Sequence, residues 1–412
     1  MGAALKLRDT TVVGGGAAGM MAAIVAAESG ERVALLEGNE QLGRKILISG
    51  NGRCNLTNLA ADEQKHYHGI HPHFSRAILQ QFRLRDTLKF FADLGIELRE
   101  EKRRRLFPVS DQAQSVVDLL VDKMRCSGVQ IETGAKVIDG HCDAGFKLRV
   151  ADGRTFGSER LVLASGGVSL ARLGADRSGM DLAIGWGHEI TALRPGLVPL
   201  ISPEKYLAKM QGLKIRAEVS VEIPGGRRIA DTDDLLFTKY GVSGFTILNL
   251  SLRVVPELAK GPIVLRVNLF PGRSPEQVGR MLEERWLRHP HRSLELSFAG
   301  LLSSKLVRPL LDRLGYDRAL CVAQLGKDMR GQLARALTDW VIEVSEPRPF
   351  DYAEVTVGGI NTDGINPDTL ESYLVPGLYF AGEMVDVHGD LGGFNFQWAW
   401  ASGTLAGRRL GS

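Results

Sequence analysis

Residues 10–37 read TTVVGGGAAGMMAAIVAAESGERVALLE, and the reading of this stretch decides the fold. An apolar run from Thr11 to Val13 meets Gly14, Gly16 and Gly19, the spacing G-x-G-x-x-G. A helix-forming run extends from Ala17 to about Ser29, and Gly30 stands where such a helix ends. Arg32 to Leu36 has the texture of a second buried strand, closed by Glu37. A strand, a helix and a strand with an acid at its tip make up the unit that binds a dinucleotide. Gly14 permits the tight turn, Gly16 lets a pyrophosphate approach the backbone, and Gly19 lets the helix lie close on the sheet. The helix start offers unpaired N–H groups and the positive end of its dipole to phosphate. A carboxylate at position 37 accepts from ribose hydroxyls. An acid there, not a base, selects an unphosphorylated ribose, as in FAD or NAD.

The 412 residues are enough for two or three domains, and 44% hydrophobic with 24% charged residues is ordinary for a soluble chain. A net charge of +3 points to neither nucleic acid nor membrane as a partner. Cys54, Cys126, Cys142 and Cys321 are scattered with no C-x-x-C, which predicts thiols in a reducing, cytoplasmic setting and no redox disulfide beside a cofactor. Met1–Arg8 has no signal-peptide core, and no run of about 18 apolar residues occurs.

Further along, Gly43–Asn58 is too glycine-rich and polar for a helix and is expected to be a loop wrapping a polyanionic cofactor. Gly50 and Gly52 allow close backbone approach, Ser49, Asn55 and Asn58 offer donors and acceptors, and Lys45 and Arg53 offer charge. Phe74 to Leu94 carries apolar residues at helical spacing, and Glu100–Arg105 (EEKRRR) reads as a solvated face. Ser110–Met124 is expected to be helical, and Val129–Glu132 and Lys136–Ile138 to be strands. Asp152-Gly153 marks a hairpin, and Leu161–Ala164 is a buried strand that stops at Ser165-Gly166-Gly167. The texture changes near Pro195. Strand-like runs follow, Ile247–Leu250 among them, with a hairpin turn at Pro224-Gly225-Gly226; helical runs then extend to about Pro349. Tyr352–Val357 and Leu378–Glu383 return as strands ending in glycine, and a last helix is expected from about Asn395 to Leu410, with Arg408 and Arg409 at its end. His66, His68, His71 and His73 read as a polar surface loop with no carboxylate to complete a metal site, so no metal is expected.

These segments resemble the YhiN/BaiN-like flavoproteins, FAD-dependent oxidoreductases that include aminoacetone oxidase. The resemblance rests on GGGAAG at Gly14–Gly19, on Ser49-Gly-Asn-Gly-Arg-Cys-Asn-Leu-Thr-Asn58 and on Arg105-Leu-Phe-Pro-Val-Ser110. It continues through Ala164-Ser-Gly-Gly167, Thr356-Val-Gly-Gly-Ile360, Gly377-Leu-Tyr-Phe-Ala-Gly-Glu-Met-Val-Asp386 and Gly392-Gly-Phe-Asn-Phe-Gln-Trp-Ala-Trp-Ala-Ser-Gly403. It implies an α/β fold: a Rossmann core of the two-dinucleotide-binding-domain type, split by an inserted β-rich, barrel-like domain and a small helical subdomain. Residues 1–194 and 350–412 would form the FAD-binding domain, 195–270 the β-rich insert and 271–349 the helical part. The residues expected to meet FAD are Gly14, Gly16, Ala18, Gly19 and Glu37 of the first unit, and Gly43, Lys45, Ser49, Gly50, Gly52, Arg53, Asn55 and Asn58 of the loop. Val137, Ser165, Gly166, Gly382, Glu383, Asp386, Gly393, Phe394 and Asn395 complete the set.

With one complete fingerprint, FAD is expected in it, and NAD(P)H is expected only as a transient electron donor in the flavin cleft. The expected activity is electron transfer between the flavin and a small organic substrate of carbonyl, enone or amine type, bound between the flavin ring and the insert. The alternatives are a structural or regulatory FAD and a flavin-dependent RNA-modifying protein, for which one short basic run is poor support. No catalytic acid or base is legible. The start of the last helix is expected to face the flavin anion, with Gly393 permitting the approach and Asn395 serving as donor or N-cap.

Overall fold

The computed structural model describes residues 6–223 and 226–408. Pro224 and Gly225 of the expected hairpin turn lie outside the described residues, as do Arg409 and Leu410 beyond the last helix. The chain divides into two compact units, Met1–Arg194 with Glu354–Ser412, and Pro195–Ala353.

The first unit is built on β1 (Lys6–Val13), α1 (Ala17–Glu28) and β2 (Val33–Leu36). All four residues of β2 are buried, as a strand covered on both faces requires. β1 lies parallel to β2 on one side, Val12 opposite Leu35, and parallel to Thr155–Leu163 on the other, Val12 opposite Val162. Gln130–Glu132 extends the sheet beyond β2, and Leu378–Phe380 runs parallel beside Leu161–Leu163. Gly145–Val150 and Val137–Asp143 add an antiparallel ribbon, and the Asp152-Gly153 turn joins Gly145–Val150 to Thr155–Leu163. The strand expected to begin at Leu161 is one continuous strand from Thr155: β1 pairs with it over nearly its whole length, and its other edge takes Gly145–Val150 in the first half and Leu378–Phe380 in the second. Phe74–Leu94 forms two helices, Pro72–Gln81 and Leu84–Asp93. The break falls where Asp86 turns back to accept from the Arg83 backbone N–H.

α1 is buried nearly all round, and so is the C-terminal helix Phe394–Gly407, which lies across it. A Cβ at Gly403 would stand 2.3 Å from the Ala18 carbonyl oxygen, and one at Gly407 would stand 2.5 Å from that of Ala22. The two helices meet backbone to backbone, and Trp398 and Trp400 fill the space on either side.

The second unit is a seven-stranded antiparallel sheet with helices. Its order is Trp340–Val344, Ile263–Asn268, Lys214–Ile223, Arg227–Thr238, Gly241–Ser243, Leu200–Ile201, Glu346–Pro347. Strands and helices are interleaved along the chain. Ile247–Leu250, read as a strand, lies inside helix Phe245–Leu258, and Trp340–Val344, within the stretch read as helical, closes one edge of the sheet. Short apolar runs carry no period that separates the two states, and packing decides. Ser274 caps helix Pro275–Arg288 reciprocally with Gln277, a start visible in the sequence S-P-E-Q. Among the described residues, no helix is long and apolar enough to cross a membrane.

The backbone contact between the two buried helices sets a clear expectation. Gly403→Ala forces them apart and lowers stability by about 1–3 kcal/mol, the range for an overpacked core. The shift of the urea midpoint measures it; an unchanged midpoint contradicts the close packing.

Candidate functional site

The turn after β1 is made by exclusion. Gly14 has φ +108°, and a Cβ there would stand 2.4 Å from the Ala164 carbonyl oxygen. A Cβ at Gly19 would meet the Gly14 carbonyl oxygen at 1.8 Å. Around Gly16, by contrast, a Cβ would find nothing within 4 Å. Gly16 caps α1 with no side-chain hydrogen bond, and no acidic residue occupies the first turn. Open space in front of uncapped N–H groups is what a diphosphate requires. Ala18 is buried at this corner, where the position of a Gly382 Cβ would lie 2.8 Å from its own Cβ.

Glu37 closes the turn. Its Oε2 accepts from the Gly15 N–H at 2.7 Å, and its Oε1 accepts from the Asn39 N–H at 2.8 Å and the Asn39 Nδ2 at 2.6 Å. Three of the roughly four acceptor positions of a carboxylate are thereby occupied. That leaves room for one ribose hydroxyl, where two were expected. Gly15, which the fingerprint treats as a spacer, is the residue that orients the acid. The Glu37 carbonyl accepts from the Ala135 N–H, just before Val137, whose side chain is buried in the core.

Gly43–Asn58 is not a plain loop. α2 spans Arg44–Gly52, with its helical geometry broken at Ser49, Gly50 and Asn51. The Gly43 N–H bonds the Gly15 carbonyl, which ties this segment to the dinucleotide turn. The cations expected at the cofactor are paired with acids. Lys45 bonds Glu383, whose other oxygen accepts from the Thr356 N–H. Arg53 lies 2.7 Å from Glu101 and 3.6 Å from Asp111, with its guanidinium 4.4 Å above the Phe107 ring. The EEKRRR run is therefore not a merely solvated face, since Glu101 receives Arg53. A Cβ at Gly50 would sit 2.7 Å from Phe107, and Gly52 has almost nothing around it. Asn58, fully buried, donates to the carbonyls of Arg103 and Gly392 and accepts from the Ala60 N–H, so it braces the site. Burial pushes the Cys54 thiol up to about 12, against a smaller opposing effect of Ser49, so it is a packing residue and not a nucleophile.

Gly166, after Ser165, has open space before it, and the Ser165 hydroxyl faces the Met384 sulfur at 3.2 Å. Gly382 is held by the Ser402 hydroxyl and the Trp398 indole. Asp386 is buried, which raises its carboxyl above the ordinary range despite the hydrogen bond from the Ile70 N–H.

Gly393 is the N-cap of the C-terminal helix, at φ +103°. The N-cap role weighed for Asn395 is thus corrected. Asn395 is the second residue of the helix, where its amide closes a ring on Gly389, accepting from its N–H at 2.8 Å and donating to its carbonyl at 2.9 Å. Any side chain at Gly393 would meet the Thr57 carbonyl at 2.5 Å, so enlarging it breaks the packing at this corner. Among the described residues, two polar atoms of these segments are buried with no hydrogen-bond partner, Asn55 Oδ1 and Gln397 Nε2. Orphaned polar atoms on the two segments expected to line FAD fit a bound polar group.

One cluster escaped the sequence reading. His66 Nδ1 lies 2.8 Å from Asp390 Oδ2, and His68 Nε2 lies 2.7 Å from Asp390 Oδ1. His68 stands opposite His388 in a two-stranded ribbon, and the His66 ring stacks on Phe394 at 4.2 Å. The carboxylate missing from the sequence around the histidines comes from the glycine-rich loop 322 and 324 residues away. Burial works to raise the Asp390 carboxyl, but the hydrogen bonds from His66 and His68 hold it at about 2. Among the described residues, no group of three or more His, Cys, Asp or Glu is placed to hold a metal ion.

Comparison with known proteins makes the chain a member of a family of FAD-dependent oxidoreductases. Residues 8–409 match the family described as "HI0933-like protein Rossmann domain", and the chain belongs to that family. This agrees with the resemblance to the YhiN/BaiN-like flavoproteins. The chain is 38% identical over 403 residues to a 3-dehydro-bile acid delta(4,6)-reductase of Clostridium scindens, covering 96% of this chain and 97% of that one. It is 37% identical over 395 residues to a ribosomal RNA dihydrouridine synthase of Escherichia coli, covering 96% of each. The fold is shared with a 3-ketosteroid delta1-dehydrogenase of Sterolibacterium denitrificans, at a TM-score of 0.52 and 13% identity, over 98% of this chain and 99% of that one.

Two expectations follow. On the expectation that Glu37 meets the ribose, Glu37→Ala removes that acceptor together with the one used by the Gly15 N–H and the two Asn39 donors. It weakens FAD binding by about 1–3 kcal/mol, roughly 5- to 150-fold in Kd. Titration of apoprotein with FAD, followed by flavin fluorescence, measures it; full affinity contradicts the assignment. Asp390 has a folded pKa of about 2 against an ordinary 3.8. Its contribution is present above the unfolded value and is lost as pH falls from about 4 through about 2, amounting to about 2 kcal/mol. The stability difference between wild type and Asp390→Asn, measured in urea at stepped pH, shrinks across that window.

Proposed function

We propose that this protein reduces a carbon–carbon double bond conjugated to a carbonyl, with FAD held at the β1–α1 turn and NAD(P)H as its transient electron donor. The observation that carries this reading is the pair of relatives at 38% and 37% identity over nearly the whole chain. Their names describe one chemistry on two skeletons. A 3-oxo steroid with double bonds at positions 4 and 6 has an alkene activated by its ketone. Uridine becomes dihydrouridine by saturation of a ring alkene activated by the neighbouring carbonyl. In both, a hydride adds at the carbon remote from the carbonyl, charge develops on the carbonyl oxygen, and a proton follows.

FAD, when bound, supplies the hydride. The chain's own residues do the rest. Gly14, Gly16 and the start of α1 seat the diphosphate, and Glu37 orients the adenosine. The loop before the C-terminal helix, braced by Asn58 and Asn395, presents that helix's first N–H groups toward developing negative charge. The free cysteines fit a reducing compartment, and we place the protein in the cytoplasm.

A small enone or dienone is our preferred substrate class, since a net charge of +3 gives little attraction for a polyanion. Uridine in ribosomal RNA is the second reading, carried by the E. coli relative and by a Haemophilus influenzae relative of the same name at 30% identity. The test reduces the holoenzyme anaerobically with dithionite and adds 2-cyclohexen-1-one, a 3-oxo-4,6-diene bile acid, or an unmodified ribosomal RNA transcript. Return of the oxidised flavin band with a conjugated ketone supports the first reading, and return with RNA alone supports the second. NADH and NADPH are screened separately for bleaching. Reduction of the flavin by amines, with no alkene reoxidising it, overturns both readings.

A further inference from the structure

We propose that Arg348 is an oxyanion-binding residue of the second unit, which takes the carboxylate of an acidic substrate; this rests on the reading above of a small conjugated ketone. The Arg348 guanidinium carbon lies 3.4 Å from the ring centre of Tyr352 and 4.3 Å from that of Tyr240. The two rings make no contact with each other, so they clasp the guanidinium from different sides. Rings over the faces of a guanidinium leave its in-plane N–H groups as the direction for hydrogen bonds. Among the described residues, none of those N–H groups has an acceptor. Glu346 and Asp351, the carboxylates nearest in sequence, make no ion pair with it.

Other arginines over rings behave differently. Arg53, Arg154 and Arg160 stack on Phe107, Phe156 and Tyr379 and pair with Glu101, Asp152 and Glu31. Arg313 lies over Tyr206 and reaches Glu204 at 3.6 Å, and Arg105 donates to the Lys102 carbonyl. In each case the ring supports a bond already made. At Arg348 the support is doubled, and the guanidinium, on a half-buried residue, has its fork uncommitted.

Backbone hydrogen bonds fix the places from which the three side chains start. Glu346–Pro347, the edge strand of the sheet, pairs with Leu200–Ile201, and the Arg348 N–H continues that ladder to the Pro199 carbonyl. Leu200–Ile201 pairs on its other side with Gly241–Ser243, and the Ser202 N–H bonds the Tyr240 carbonyl. Tyr352 ends the single turn Phe350–Tyr352, its N–H closing on the Pro349 carbonyl. A guanidinium held in this way loses little further freedom on binding. A carboxylate matches its fork with two oxygens, and such charge-assisted pairs are the strong ones. The Tyr352 ring, 49% exposed, adds apolar surface for a hydrocarbon skeleton that carries the acid. Pro199 and Tyr352 lie within a few residues of the two junctions of the units, 194–195 and 353–354, and small ligands commonly bind at such junctions.

The experiment compares the 3-oxo-4,6-diene bile acid with the same steroid ending in an alcohol in place of the carboxylate. Each is titrated anaerobically against dithionite-reduced holoenzyme of wild type, Arg348→Met, Arg348→Lys and Tyr352→Leu, and flavin reoxidation is followed. In wild type the acid half-saturates at a concentration about 10- to 100-fold below the alcohol, the scale of hydrogen bonds to a charged group. Arg348→Met removes that preference, and the loss appears in half-saturation and not in the limiting rate. Arg348→Lys, with the charge but no fork, and Tyr352→Leu, with the fork free to swing, each keep part of it. Equal half-saturation of acid and alcohol in wild type overturns the site, as does a full preference in Arg348→Met. Equal weakening of both ligands in Arg348→Met also overturns it and reduces the clasp to packing. If Arg348→Met does not fold, Arg348→Lys and Tyr352→Leu still decide. Loss of ribosomal RNA retention in Arg348→Met, with binding of the acid intact, gives the site to phosphate and overturns the carboxylate assignment. Failure of both steroids to reoxidise wild type strikes the functional reading itself. Calorimetry with the saturated bile acid, which has no alkene to reduce, tests the site even then: binding lost in Arg348→Met supports it, and equal binding overturns it.

Discussion

The first unit depends on one steric constraint: α1 has no room on two sides. Gly19 brings it onto the carbonyl of Gly14, and Gly403 and Gly407 bring the C-terminal helix onto the carbonyls of Ala18 and Ala22. Backbone dipoles packed this closely fix the axis of α1, and with it the direction of the N–H groups at its start. A substitution anywhere along this seam reaches the cofactor turn through rigid backbone and not through flexible side chains.

The dinucleotide unit was legible because its instructions are local. Strand, turn, helix and acid occupy fewer than thirty consecutive residues, and each residue type has one physical task. What was illegible was made by pairing over long distances. Asp390 sits in the middle of a glycine-rich loop, where its sequence neighbours suggest backbone flexibility, and its histidines are more than three hundred residues away. Lys45 and Arg53 read as cations for a phosphate because their acids, Glu383 and Glu101, could not be assigned to them from sequence. Asn395 suited an N-cap by type, yet Gly393 holds that place because only a residue without Cβ fits against Thr57. In the second unit, Ile247–Leu250 carried no period to distinguish helix from strand.

A consistent electrostatic picture results. Lys45 and Arg53 are balanced by Glu383 and Glu101, whereas the starts of α1 and of the C-terminal helix carry no side-chain cap and leave their peptide dipoles uncompensated. Peptide dipoles held by packing do not reorganise when a charge appears. Paired ammonium and guanidinium groups, meanwhile, keep the surrounding loops in place.

Three tethers fasten the segment around Thr57 to the C-terminal helix and the loop before it. Asn58 bonds Gly392, Thr57 bonds Gln397, and the Trp400 indole bonds the carbonyl of Leu56. Each closes a loop of more than three hundred residues. The entropy of closing so long a loop is met once, by the first of the three, and the other two then form between groups already held in place. The corner therefore assembles as one cooperative step of the whole unit, and neither segment carries its shape alone.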